Sequence, residues 1–248
     1  LIALSLTTQA NLLFDITDGK FRPAGIANPR SMNDGEHYTL LTEGTTILRY
    51  SYKTGKAVDT LLHLPRVKNA PITEIKGYIM SPKESKILVY TNVEQRYRRS
   101  YTADYYIYDI KYKEFDALSA SRPQENPLFS PDDRYIAFAH DNNLYIKKVD
   151  FKTDIRITKD GVKEKISNGS ADWVYEEEFG STRYYEWSPD SKLLAFLKFD
   201  EGKVKEFSFQ RFTRPTVESE LYPDSYLFKY PKAGETNSTV TAYVYDDF

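Results

Sequence analysis

An acidic run in the second half of the chain contains the residues best suited to chemistry. Residues 172–178 read Asp-Trp-Val-Tyr-Glu-Glu-Glu, so three consecutive carboxylates follow a short aromatic and apolar segment. Adjacent carboxylates repel one another, and the aromatic residues before them predict that the run is held against the rest of the protein. Such an arrangement becomes favourable when a cation binds to it. The sequence therefore predicts a cation-binding site at this run.

A cluster of arginines is the second candidate. Arg96, Arg98 and Arg99 lie within four residues of one another. A guanidinium stays charged and can hold a carbonyl or carboxylate oxygen. Paired carboxylates hold an ammonium group, and each charge-assisted hydrogen bond contributes about 1.5–3 kcal/mol. Together the two clusters would bind a ligand with a free amine and a nearby peptide oxygen. Residue types alone leave two other interpretations open: the clusters pair with each other, or they are solvated faces.

The composition excludes several classes of function. The chain has 248 residues, no cysteine and a net charge of −2. It therefore has no disulfide, thiolate nucleophile or thiolate metal site, and its net charge predicts no attraction to nucleic acid. His37, His63 and His140 lie far apart and lack metal-ligand spacing, so we predict structural or surface roles for them. Phosphate-binding and dinucleotide-binding motifs are also missing, and neither a cofactor nor a metal is predicted.

A repeated turn predicts the elements that must position these charges. Phe-Ser-Pro-Asp-Asp at 129–133 and Trp-Ser-Pro-Asp-Ser at 187–191 each precede a short apolar segment. A third copy begins at Met80 and a degenerate fourth at Met32. The proline or its equivalent stands at positions 33, 82, 131 and 189, which are 49, 49 and 58 residues apart. Strand–turn–strand units repeated at about this period are typical of a β-propeller.

Alternating apolar residues and aromatic content predict a second strand in several units, at 47–52, 105–110 and 144–149. A β-sandwich would not need a turn repeated at a fixed period. We therefore predict an all-β fold, a partial β-propeller over 20–248 with about four blades, preceded by a lead at 1–19. A ring closed by only four blades of this size would be very tight. We therefore expect the four blades to be part of a larger propeller.

Three segments are predicted to leave the blades. The arginine cluster breaks the repeat, and the longest interval contains the acidic run, which we assign to an insertion at about 168–180. Blade strands have a fixed length, so the extra residues must project outward. A third irregular region, at about 199–235, suits an exposed hairpin arm that contacts a partner surface. Insertions in repeat proteins collect on one face and often carry function.

The two ends of the sequence carry further expectations. Residues 1–10 read as the end of a signal-peptide apolar region, with an ordinary first strand as the alternative. We therefore expect a periplasmic or secreted protein, with membrane association as a further alternative. Residues 245–248 stop in what reads as a strand, so we expect the sequence to be part of a longer chain.

The acidic run and its surroundings resemble a known family. Residues 168–178, followed by Trp-Ser-Pro-Asp at 187–190, resemble the signature of the dipeptidyl peptidase IV family of serine exopeptidases. Two further segments agree in order and distance, at 98–109 and 230–237. The resemblance covers most of the chain from about residue 20 onward. The link from the acidic run to Trp187 is about one residue shorter than in animal members of the family, and its length resembles that of bacterial members. Because of this difference, no pocket role is assigned to Phe179 and Gly180.

The resemblance implies specific roles for three residues. Family members carry an eight-bladed propeller on an α/β-hydrolase domain and remove Xaa-Pro or Xaa-Ala dipeptides from peptide N-termini. By this resemblance, Glu177 and Glu178 would bind the α-ammonium of the substrate, and Arg98 would bind the carbonyl oxygen between its first two residues. The anchors act as a ruler, because the amine reaches the glutamates only when the second peptide bond lies at the nucleophile.

The neighbours of these three residues are predicted to support them. We expect Glu176 and Arg99 to be structural or peripheral. Trp173 and Tyr175 are expected to pack behind the acidic run and to fix its direction.

No catalytic residue is predicted in this chain, because it contains no Gly-x-Ser-x-Gly. The resemblance implies that the nucleophile and its base lie in a C-terminal hydrolase domain absent from this chain, and that the arm contributes to a homodimer. A non-catalytic binding module or scaffold of the same family is the alternative. Endopeptidases of the prolyl oligopeptidase type are disfavoured, because they need no amine anchor.

Overall fold

Eighteen strands and two α-helices make up the part of the chain that the computed structural model describes, residues 7–23, 25–26, 28–212 and 223–246. The helices are α1 (Thr7–Thr17) and α2 (Trp173–Phe179), and Leu64–Arg66 forms one 3-10 turn. The strands, in chain order, are β1 (Arg30–Ser31), β2 (His37–Thr42), β3 (Thr46–Ser51), β4 (Ala57–His63), β5 (Gly77–Met80), β6 (Lys86–Gln95), β7 (Tyr101–Asp109), β8 (Glu114–Ala117), β9 (Glu125–Phe129), β10 (Tyr135–His140), β11 (Asn143–Lys148), β12 (Thr153–Arg156), β13 (Ile166–Asn168), β14 (Tyr185–Trp187), β15 (Leu194–Asp200), β16 (Glu206–Arg211), β17 (Asp224–Lys229) and β18 (Thr239–Tyr245).

Four antiparallel sheets follow one another along the chain and form four blades. The first three blades, β1–β4, β5–β8 and β9–β12, are meanders in which each strand pairs with the next. In the fourth, β18 pairs with the whole of β15, so β13 and β14 must lie end to end along the other edge of β15. This arrangement confirms the all-β propeller fold and the four blades expected from the repeated turn.

The core lies between neighbouring blades. In β7, Tyr106 and Tyr108 pack with residues of the first blade, whereas Tyr105 and Ile107 pack with residues of the third. This division follows from the two-residue period of a strand, which sends successive side chains to opposite faces. Both faces of a blade are therefore apolar, and each blade needs a neighbour to cover it.

The repeated turn has a common backbone conformation in all four blades. Gly35, Glu84, Asp133 and Ser191 occupy the same position of the turn, with φ angles of 70°, 55°, 65° and 62°. This left-handed region is sterically unfavourable for residues other than glycine. Side chains are nevertheless present at three of the four positions.

Those three side chains connect each blade to the blade before it. Glu84 Oε1 accepts a hydrogen bond from the Asn33 N–H at 2.6 Å, and Ser191 Oγ accepts one from the Asp132 N–H at 3.1 Å. Asp133 accepts three, from Ser81 Oγ at 2.7 Å, Ser85 Oγ at 2.9 Å and the Lys83 N–H at 3.1 Å. We call this series the turn ladder. It explains why the turn carries side chains at a position that favours glycine.

Two predicted strands agree with the structure and one begins too late. The segments 47–52 and 144–149 correspond to β3 and β11 within one residue at each end, whereas β7 begins at Tyr101 instead of residue 105. The difference arises because β6 and β7 continue pairing beyond the blade, as far as Gln95 and Tyr101. The extended hairpin carries the arginine cluster at its tip.

The lead of the chain is only partly described. Residues 1–6 lie outside the described residues, so the signal-peptide interpretation stays a prediction, and Thr7–Thr17 forms α1. Among the described residues, no helix combines the length and the apolar character that a membrane crossing requires.

Candidate functional site

The acidic run forms α2, which leaves the fourth blade between β13 and β14. Asp172 caps the N-terminus of this helix, because its carboxylate accepts a hydrogen bond from the Tyr175 N–H at 2.8 Å. Gly180 ends the helix with a φ of 70° and donates its N–H to the Glu176 carbonyl. The sequence predicts an insertion at about 168–180 but does not predict the helix within it. The available signal was the pair of caps, Asp172 and Gly180, which enclose the seven residues of the helix.

Aromatic side chains hold α2 from two directions, as predicted for Trp173 and Tyr175. The Trp173 ring lies 4.6 Å from Tyr230, which follows the arm. The Tyr175 ring lies 4.9 Å from Phe199 in β15, with an edge-to-face geometry. The helix is therefore fixed against both the blade and the arm, and the direction of its acidic side chains follows from that packing.

Glu176 is fully buried and contacts the tip of the β6–β7 hairpin. Its Oε1 accepts hydrogen bonds from the Arg99 N–H at 2.6 Å and the Ser100 N–H at 2.9 Å. In return, Arg99 Nη1 donates to the Glu176 carbonyl at 3.3 Å. The structural roles predicted for Glu176 and Arg99 are confirmed by these contacts.

Arg98 and Glu177 form an ion pair between the second and fourth blades. Arg98 Nε lies 2.9 Å from Glu177 Oε2 and 3.1 Å from Oε1. The Arg98 side chain is 71% exposed, whereas that of Glu177 is only 17% exposed. Within the described residues, nothing accepts a hydrogen bond from the terminal nitrogens of Arg98. The two charge clusters thus pair with each other, and the arginine still faces solvent.

Glu178 follows on the same helix and is exposed. In the part of the chain that the structure describes, its carboxylate has neither a hydrogen bond nor an ion pair. The structure therefore brings together the three residues that the resemblance singled out: Arg98 contacts Glu177, and Glu178 is its neighbour along α2. Their assignment as substrate anchors stays a prediction.

Behind this cluster, Arg96 lies near two carboxyl groups that the sequence did not single out, the half-buried Glu125 and the buried Glu201. Arg96 lies 3.7 Å from Glu125 at the start of β9, and burial raises the pKa of that carboxyl. Glu201 lies directly after β15, and burial together with the negative charge of Asp172 raises its pKa to about 7, against the opposing charge of Arg96. No spacing in the sequence links these residues, since only the packing of blades and insertions brings them together.

A cavity of about 770 Å³ opens between the hairpin tip, α2 and the arm. Its lining combines charged groups, including Arg96 and Arg98, with aromatic rings, including Trp173, Tyr226 and Phe228. Volumes of this order are typical of sites that take small ligands or peptide ends. Arg98 therefore borders both the carboxylate of Glu177 and this cavity.

The arm is a two-stranded hairpin of β16 and β17 that carries exposed apolar residues. Phe209 is 46% exposed and Leu227 is 49% exposed. Residues 213–222, which connect the two strands, lie outside the described residues. The homodimer contact expected for this arm stays a prediction.

Comparison with known proteins gives consistent matches. The sequence model described as "Dipeptidyl peptidase IV (DPP IV) N-terminal region" matches residues 81–247. A probable dipeptidyl-aminopeptidase B from Talaromyces stipitatus is 38% identical over 176 residues, which cover 67% of this chain and 19% of that protein. The corresponding protein of Chaetomium globosum is 39% identical over 171 residues, covering 65% of this chain and 18% of its own length.

A solved structure agrees in fold as well as sequence. The crystal structure of Porphyromonas gingivalis dipeptidyl peptidase 4 superposes with a TM-score of 0.86 and is 44% identical, covering 94% of this chain and 33% of that one. The chain thus spans about a fifth of the length of the fungal relatives and a third of the bacterial one. With the family signature matched over two thirds of its residues, this chain belongs to the dipeptidyl peptidase IV family, within its N-terminal region.

Proposed function

We propose that this chain is the part of a serine dipeptidyl peptidase that recognises the free N-terminus of a peptide substrate. The meeting of Arg98 and Glu177 from different blades, with Glu178 exposed beside them, is the observation that carries the proposal. The names of the relatives, dipeptidyl-aminopeptidase B and dipeptidyl peptidase 4, support the same reaction class.

The chemistry follows from the charges. An α-ammonium group has three N–H donors, and two adjacent carboxylates can accept them, each charge-assisted bond contributing about 1.5–3 kcal/mol. The terminal nitrogens of Arg98, which donate no hydrogen bond within the described residues, can donate to a peptide carbonyl oxygen. A substrate without a free amine, or with one residue too many, would leave these carboxylates without their cation.

The bond-breaking groups of this proposal lie outside the chain. The sequence contains no Gly-x-Ser-x-Gly, so the nucleophile, its base and the pocket for the penultimate residue would come from another part of the full-length protein. An intact Gly-x-Ser-x-Gly followed by Asp and His in that protein supports the enzyme. Loss of the serine would favour the alternative, a binding module or scaffold of the family.

The anchor assignment is tested by kinetics of the full-length protein. Glu177→Gln and Glu178→Gln each remove one negative charge with little change of shape. We expect each variant to lower kcat/KM for a Gly-Pro substrate by at least about tenfold, equivalent to about 1.4 kcal/mol. Glu114→Gln, at an exposed position of β8, is the matched control and should keep the wild-type value. Near-native kinetics of both anchor variants would overturn the proposal.

A further inference from the structure

Glu176 joins the two segments that carry the proposed anchor. We propose that it is a positioning residue, which sets the spacing between Arg98 and Glu177 by holding the β6–β7 hairpin against α2. The inference rests on the proposed function, because it concerns the geometry of the same site. The sequence predicts a structural or peripheral role for Glu176, and the proposal gives that role a specific consequence for recognition.

In the contact between Glu176 and the hairpin tip, one carboxylate oxygen accepts hydrogen bonds from two consecutive backbone N–H groups. Glu176 Oε1 accepts from Arg99 at 2.6 Å and from Ser100 at 2.9 Å. Arg98 is the residue immediately before this pair, so the contact fixes the backbone from which its side chain extends. Glu177 is the residue immediately after Glu176. Each partner of the Arg98–Glu177 ion pair is therefore adjacent to a member of the buried contact.

The same two segments are linked a second time in the opposite direction. Arg99 Nη1 donates to the Glu176 carbonyl at 3.3 Å and lies 3.9 Å from Glu177 Oε2. The hairpin belongs to the second blade and α2 to the fourth, and no described sheet pairing joins these two blades. Direct hydrogen bonds between the tip and the helix, in the described residues, come from Glu176 and from the Arg98–Glu177 pair.

Burial decides which of these contacts controls the geometry. Glu176 is 0% exposed, and Ser100 is 6% exposed. A buried carboxylate that accepts backbone hydrogen bonds is shielded from competing water. Arg98 is mostly exposed, and exposed ion pairs hold their geometry weakly. The position of the Arg98 side chain therefore depends more on Glu176 than on its own partner Glu177.

Two variants of the full-length protein separate this role from the charge of Glu176. Glu176→Ala removes the acceptor, whereas Glu176→Gln keeps a carbonyl oxygen that can accept from both N–H groups. For Gly-Pro-p-nitroanilide, we expect Glu176→Ala to raise KM by at least about tenfold with a smaller change in kcat, and Glu176→Gln to stay within about threefold of wild type. Hydrolysis of p-nitrophenyl acetate, which has no amine to anchor, should be unchanged in both variants.

Several outcomes would overturn the inference. A wild-type KM in Glu176→Ala would overturn the positioning role. If Glu177→Gln and Glu178→Gln still lose activity in that case, the proposed function stands. If Glu176→Ala loses peptide and ester hydrolysis to the same extent, Glu176 is needed for the folding of the protein and not specifically for positioning Arg98. If Glu176→Ala is not recovered folded, Arg99→Ala removes the bond to the Glu176 carbonyl and the 3.9 Å ion pair with Glu177, and keeps the Arg99 N–H. This variant should raise KM by about threefold, and an unchanged KM would then refute the positioning role. Wild-type kinetics of both anchor variants would instead remove the proposed function itself.

Discussion

Glu201 is the single residue whose environment gives the clearest dependence on pH. It is 4% exposed and lies where the chain leaves β15 for the arm. Burial raises its pKa from an ordinary value of 4.5 to about 7, the charge of Asp172 adds to the effect, and Arg96 opposes it. The folded protein therefore favours the protonated carboxyl, whereas the unfolded chain ionises it near 4.5.

The sign of the effect follows from this shift. Below pH 4.5 the carboxyl is protonated in both states, and it imposes no penalty on folding. Between pH 4.5 and 7 the carboxyl is ionised in the unfolded state but still protonated in the folded state, so the free energy of unfolding falls as the pH rises. Above pH 7 the total loss reaches about 3 kcal/mol relative to pH below 4.5. We expect Glu201→Gln to raise Tm, relative to wild type, by several degrees more at pH 8 than at pH 5. Thermal unfolding of both proteins at the two pH values measures this difference, and an equal Tm difference at both would contradict it.

At the residue scale, the sequence could identify the charges that form the candidate site but not the carboxyl groups packed behind it. Arg98, Glu177 and Glu178 belong to contiguous motifs, so a resemblance could single them out. The approach of Glu125 and Glu201 to Arg96 depends on how the blades and insertions pack together. Their positions in the sequence carry no periodicity or motif that predicts a common environment.

At the scale of elements, the helix that carries the acidic run was too short to be predicted. A helix of seven residues spans about two turns, so it shows little of the apolar periodicity by which helices are recognised. Its ends are instead defined by two residues, the cap Asp172 and the left-handed Gly180. The extension of the β6–β7 hairpin escaped prediction for a related reason, since residues 92–95 are exposed and carry no buried face.

Asp172 gives this helix a testable dependence on its cap. The side chain is 4% exposed, accepts from the Tyr175 N–H, and also accepts from Ser238 Oγ beyond the arm. Asp172→Ala removes both bonds and should cost about 1–2 kcal/mol, whereas Asp172→Asn retains a good N-cap and should cost less. Amide hydrogen exchange over residues 169–184 of the full-length protein should be faster in the alanine variant than in the asparagine variant. Equal exchange in the wild type and the alanine variant would refute the capping role.

At the scale of the whole molecule, the blades were predictable because their turns repeat. Short-range turn chemistry recurs at a regular interval, and a fold built from such units shows the interval in its sequence. The hydrogen bonds of the turn ladder, which connect neighbouring blades, could not be predicted in the same way. Asp133 and Ser191 read as ordinary turn residues, and only the packed blades show that their side chains reach the preceding turn.

The turn ladder predicts that Asp133 stabilises the propeller far more than its neighbour Asp132. Asp133 is 6% exposed and accepts three hydrogen bonds from the second blade. Asp132 is half-buried, and its carboxylate bonds mainly within its own turn, to Ser130 Oγ and the Arg134 N–H, and also interacts with the Ser191 side chain. Asp133→Gly suits the left-handed backbone but leaves the buried Ser81 hydroxyl and the Lys83 N–H without their acceptor, at a cost of about 2–4 kcal/mol.

Asp132→Ala is the matched control, because it removes a carboxylate from the same turn and leaves the three hydrogen bonds of Asp133 in place. We expect it to cost about 1 kcal/mol or less. Denaturant unfolding of both variants in the full-length protein, followed by a signal from the propeller, gives the comparison. A loss for Asp133→Gly no larger than that for Asp132→Ala would show that apolar packing between blades, rather than the ladder, holds neighbouring blades in register.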